Sequence, residues 1–141
     1  MTAHKTIEQL GYAGLIPFVL LAALMWLVDA DLSPFVSIAL AAYAATIVSF
    51  LGGVHWGIGF MQGSTEPRVY FLWGVVPSLL AWFGLLMSAQ AALPFLALVI
   101  VACYLVDCKL YAQADLSAWL PIRLRLTVVA SISCVLGAAA I

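Results

Sequence analysis

Apolar residues run through this chain in five long blocks separated by short polar breaks. The blocks cover about residues 10–28, 34–60, 69–88, 91–107 and 121–141. A helix rises about 1.5 Å per residue, so roughly 20 apolar residues cross a hydrocarbon core of about 30 Å. Inside such a core every backbone N–H and C=O must be satisfied within the segment, and a helix does that. The pattern therefore predicts an all-α fold: one domain over residues 1–141, a polytopic bundle of five transmembrane helices.

The breaks refine the boundaries. The first block follows His4, Lys5 and Glu8 and ends at Asp29 and Asp31. Its basic start and small residues near Asp29 are those of a secretory signal, but its apolar run exceeds the roughly 7–15 residues of a cleaved one. It reads as a retained first helix. Pro17 lacks an N–H, frees the carbonyl of Ala13 and should bend that helix. Ser33 is a good N-cap and Pro34 suits the first helical position of the second block. Residues 35–60 carry no formal charge and would span roughly 39 Å as a helix, so this helix tilts or projects, with His55 near the inner boundary. A loop from Gln62 to Arg68, containing Gly63, Glu66 and Pro67, turns the chain back. Pro77 interrupts the third block, and Pro94 stands in the first turn of the fourth. Asp107 and Lys109 close the fourth, and residues 110–120 are expected along the inner interface.

Charge orients the bundle. The five basic side chains, Lys5, Arg68, Lys109, Arg123 and Arg125, fall before the first block, between the second and third, and between the fourth and fifth. Juxtamembrane Lys and Arg are retained on the cytoplasmic side. The N-terminus is thus expected inside and the C-terminus outside, in a bacterial inner membrane. Composition agrees: 67% of residues are apolar, 8% are charged and mean hydropathy is +1.20. A water-soluble domain keeps roughly 25% charged residues. A net charge of −1 argues against nucleic acid as a partner. Tyr12, Tyr70, Trp73, Tyr111 and Trp119 read as an inner aromatic belt and Trp26 as part of an outer one. Trp82 is mid-span and is expected between helices. Cys103, Cys108 and Cys134 read as free thiols packed as small hydrophobes.

Candidate chemistry concentrates in Ser49-Phe-Leu-Gly-Gly-Val-His-Trp-Gly-Ile-Gly-Phe60. Gly53 and Gly57 form a GxxxG, and Gly52 and Gly59 add small positions, so all four are helix-packing candidates. His55 lies on the helical face of Gly52 and Gly59. The plainer reading is an imidazole hydrogen-bonded to a carbonyl or to Asp107; the sharper one is ligand or proton handling. Asp107 adjoins a span at about the depth of His55, Arg68 and Arg123. An Asp107–Arg123 ion pair is the plainer reading here, and a polar cytoplasmic-side pocket of His55, Trp56, Arg68, Asp107 and Arg123 the alternative. Arg125 and Lys109 are candidates for lipid headgroup contact. No metal site and no cofactor is expected: His4 precedes the first span, so two histidines cannot meet inside the bundle.

Several segments taken in order, Gly11-Tyr-Ala-Gly-Leu-Ile-Pro-Phe18, Ser49-Phe-Leu-Gly-Gly-Val-His-Trp-Gly57, Val75-Val-Pro-Ser-Leu with Trp82, Asp107, and Leu120-Pro-Ile-Arg-Leu-Arg-Leu-Thr127, carry a resemblance. The chain resembles the transmembrane protein 69-like family, an uncharacterised bacterial and mitochondrial membrane domain. That resemblance implies a compact multi-helix inner-membrane protein and no particular reaction.

One histidine and one carboxylate are too few to define a reaction class, so an enzyme is not expected. The expected role is an accessory or structural subunit, or an assembly factor, of a membrane complex. Its partners would be the lipid bilayer and another membrane protein or a second copy. The alternative is a small-solute or lipid binder or transporter using the cytoplasmic-side pocket.

Overall fold

The computed structural model describes residues 3–62 and 67–141; Gly63 and Glu66 of the expected loop lie outside them. The chain forms α1 (Ala3–Ala13), α2 (Ile16–Leu27), α3 (Ser33–Gln62), α4 (Arg68–Leu85), α5 (Ala89–Gln113), a 3-10 turn at Ser117–Trp119, and α6 (Leu120–Ala139). With α1 and α2 taken as one interrupted span, five helical stretches are long and apolar enough to cross a membrane. The chain is thus an all-helical, five-span membrane bundle.

The interruption of the first span sits where Pro17 requires it. Pro17 offers no N–H to the carbonyl of Ala13, and the helix stops at that residue. The neighbouring carbonyl of Gly14 accepts a hydrogen bond from the Tyr43 hydroxyl of α3 at 2.6 Å. A backbone group exposed by the break is thereby satisfied by the next helix. Pro77 and Pro94, by contrast, sit within continuous helices, so the expected interruption of the third span does not occur.

The fourth span also differs from expectation. Asp107 and Lys109 do not end it: α5 runs on to Gln113. It closes in a Schellman arrangement, with Leu116 N–H on the Tyr111 carbonyl at 2.8 Å and Asp115 N–H on the Ala112 carbonyl at 3.2 Å. Asp115 takes the left-handed conformation, φ 64°, that this motif needs. Leu116 packs into the same apolar cluster as Tyr111, which is the hydrophobic contact that accompanies the motif. The turn brings α6 back beside α5.

α3 is the central helix and touches α2, α4, α5 and α6. Its inward face is rich in small residues: Ala41, Ala44, Ala45 and Gly52 are buried beside Leu40 and Val48, while Phe35, Phe50 and Phe60 point outward. Lipid tails are as apolar as leucine, so close backbone approach, not hydrophobicity, separates inside from outside. The same logic places Gly137 of α6 against Leu40 and Gly84 of α4 against Phe95. Aromatic residues depart from the expected belt: Tyr70 and Tyr111 are buried, and Trp73 is half-buried. Trp82 is 62% exposed on the outside of the bundle instead of lying between helices. A large ring costs nothing against lipid, so mid-span position alone does not send it inward.

Candidate functional site: a buried polar cluster and a bare glycine strip

Three membrane helices bring ionisable side chains together at the end of the bundle where α3 and α5 finish and α6 begins. Asp107 of α5 is the hub. Its Oδ1 lies 2.6 Å from Nε2 of His55 on α3. Its Oδ2 accepts from Arg123 on α6, through Nη2 at 2.6 Å and Nε at 3.1 Å. Because Arg123 clasps a single oxygen, the other stays available to the imidazole. An ionised carboxylate only accepts, so the Nε2 position of His55 carries the hydrogen. Arg123 Nη1 donates in turn to Thr127 Oγ1 at 3.1 Å, one turn further along the same face of α6.

The cluster is closed off. His55 is 0% exposed, Asp107 1% and Arg123 8%. Tyr111, one turn beyond Asp107 on α5, stands 5.8 Å from the His55 ring, centroid to centroid. Tyr70 of α4 stacks with the same ring at 6.1 Å and donates its hydroxyl to the Leu110 carbonyl at 2.8 Å. Tyr104 lies beneath the Arg123 guanidinium, 6.0 Å from ring centre to carbon. A buried ion pair of this kind offsets its desolvation cost only when its remaining hydrogen bonds are made, and here nearly all are. What the arrangement does chemically is lock α3, α5 and α6 in register with fixed charge. Among the described residues, no three His, Cys, Asp or Glu side chains gather as a metal site requires.

Of the five residues considered for a cytoplasmic-side pocket, the cluster contains His55, Asp107 and Arg123. Trp56 stands apart, 40% exposed, with its indole N–H on the Phe71 carbonyl at 3.1 Å. Arg68 is exposed at the first residue of α4. Lys109 and Arg125 also face outward, and Arg125 donates to the Tyr12 hydroxyl at 3.0 Å. Beside it, His4 stacks on Trp119 at 4.9 Å and pairs with Glu8 at 2.9 Å, tying α1 to the start of α6. Sequence reasoning did not single out Thr127, and gave Tyr70 and Tyr111 to the membrane surface. Helical spacing carried the signal: Thr127 and Tyr111 each lie four residues beyond a member of the cluster.

The four glycines of α3 divide into two faces. A Cβ on Gly52 would meet the Gly74 carbonyl at 2.5 Å and Pro77 at 3.2 Å. One on Gly59 would meet the Phe71 ring at 2.8 Å. Among the described residues, a Cβ on Gly53 or Gly57 would meet nothing within 4 Å. They lie on the outside, and Gly53 helps floor an open groove of about 450 Å³ between α3 and α4, with Ser49, Trp56 and Ser78 along its walls. A second open groove, about 470 Å³, runs between α5 and α6 past Pro94, Ser131 and Leu136. Neither is lined by His55, Asp107 or Arg123.

Comparison with known proteins gives a match over nearly the whole chain. The model of the family described as protein of unknown function (DUF3429) matches residues 3–139. Transmembrane protein 69 of Xenopus tropicalis is 46% identical over 86 residues, which is 60% of this chain and 34% of that protein. The chain thus spans about a third of the length of that relative. No solved structure matches.

Proposed function

The chain belongs to the DUF3429 family, and from that premise we propose that this five-span membrane protein is an accessory or assembly subunit of a larger membrane complex. It carries no catalytic reaction of its own in this reading. It sits in a bacterial inner membrane with its N-terminus on the cytoplasmic side, so that all five Lys and Arg side chains lie on that side, as juxtamembrane cations do. Lys109 and Arg125 then face the headgroups.

The observation that carries the reading is the bare strip of Gly53 and Gly57. Glycine inside a helix gives up roughly 0.5–1 kcal/mol relative to alanine. At Gly52, Gly59, Gly84 and Gly137 that cost is offset by a neighbour packed where a side chain would be. At Gly53 and Gly57 nothing among the described residues takes up the space. A small-xxx-small strip is the surface on which a second transmembrane helix packs closely. The short connections between helices leave little extramembrane surface, so contacts in the plane of the membrane are the natural means of association. The alternative, a small-solute or lipid binder with a cytoplasmic-side polar pocket, is less well supported, because His55, Asp107 and Arg123 bond to one another and line neither groove.

Native mass spectrometry of the protein released from its own membrane in mild detergent tests this. The expected result is a mass exceeding one chain by a second, different polypeptide. A lone chain or a homodimer carrying a reproducible small-molecule adduct would instead favour the binder.

A further inference from the structure

Two polar atoms in the core lack a hydrogen-bond partner among the described residues: Nδ1 of His55 and Nε1 of Trp73. They are complementary. An imidazole that carries its one hydrogen on Nε2, towards Asp107, presents a lone pair at Nδ1, while the indole nitrogen of Trp73 can only donate. They also lie at one level of the α3–α4 pair. These antiparallel helices touch at Gly52 with Gly74 and at Gly59 with Phe71. His55 falls between the two contacts on α3, and Trp73 between them on α4. Both face the same cluster: Trp73 packs with Tyr70, Leu110 and Tyr111, and the His55 ring stands 6.1 Å from Tyr70 and 5.8 Å from Tyr111. Yet the two nitrogens are not bonded to each other.

We propose that the core contains a binding site for a single small hydrogen-bonding molecule, a water, held between His55 and Trp73. It accepts from the Trp73 indole N–H and donates to His55 Nδ1. Buried waters bond to otherwise unmatched polar groups of this kind. The water extends the Thr127–Arg123–Asp107–His55 chain from α6 through α5 and α3 to α4. Four helices then share one hydrogen-bonded path, and His55 acquires a route for hydrogen exchange that its burial otherwise denies. This site is independent of the partner-binding strip, since it faces the inside of the bundle.

Solid-state NMR of the full chain in lipid bilayers, with nitrogen-15 in histidine and tryptophan, tests the site directly. Magnetisation from water protons should reach both His55 Nδ1 and the Trp73 indole N–H at short mixing times, with Nδ1 read as a nitrogen bearing no proton. In Trp73→Phe the water-to-Nδ1 cross-peak should be lost while the Nε2–H signal facing Asp107 persists. Absence of water transfer in the unsubstituted protein overturns the proposal, whatever the variant does. So does a cross-peak undiminished in Trp73→Phe.

Discussion

Gly52 and Gly53 are neighbours in sequence and opposites in surroundings. On the side of α3 that carries Gly52, His55 and Gly59, helix backbones approach closely and a buried carboxylate is bonded on both oxygens. On the side that carries Gly53 and Gly57, nothing among the described residues comes within 4 Å of the first carbon of a would-be side chain. The difference teaches that one glycine-rich helix can serve two tasks. Its inner side holds this bundle together, and its outer side is left for something else.

The inner side should break first and hardest at its charged hub. Asp107→Ala leaves Arg123 buried without a counter-charge and His55 without its acceptor, and removing one member of a buried pair costs about 3–5 kcal/mol. The midpoint of unfolding in mild detergent should fall accordingly, more than for any other single change considered. Gly52→Leu comes next. Its first side-chain carbon already meets the backbone of Gly74, which cannot move as a side chain can, and overpacking costs about 1–3 kcal/mol or more. Thr127→Val keeps the shape but removes one acceptor from Arg123, a loss of about 1 kcal/mol measured by the same unfolding curve.

The outer side should behave in the reverse way. Gly53→Leu and Gly57→Leu are expected to leave the unfolding midpoint unchanged or raise it by up to about 1 kcal/mol, the cost that a helical glycine carries. Their defect should appear only in co-purification with a partner. A melting defect in either variant would show that the strip belongs to this bundle after all.

Much of the architecture was legible because crossing a membrane demands long apolar runs. Five of them stand in the sequence, and Pro17 marks the break in the first. The members of the buried cluster could be named because charge next to an apolar span is rare and usually paired. What the sequence could not tell is which side of each helix faces inward. In water an apolar stripe answers that, but here both sides of α3 are apolar and small residues stand on both, Gly52 inside and Gly53 outside. Hence the GxxxG of Gly53 and Gly57 drew notice, while a close approach of backbone to backbone within the chain is between Gly52 and Gly74, on two different helices. Trp82 and Tyr70 exchanged expected places for the same reason. The end of α5 was missed because Asp107 and Lys109 read as a membrane boundary, whereas Asp107 is neutralised by Arg123 and the helix continues to its turn at Asp115.

The most direct test sets the Gly53→Leu, Gly57→Leu double variant beside the unsubstituted protein. Each is released from the native membrane and weighed intact, with its unfolding midpoint taken on the same sample. The two-sided account of α3 predicts a second polypeptide on the unsubstituted chain, and a chain at least as stable without it for the double variant. A partner that stays bound to the double variant, or an unsubstituted protein that emerges alone, would contradict it.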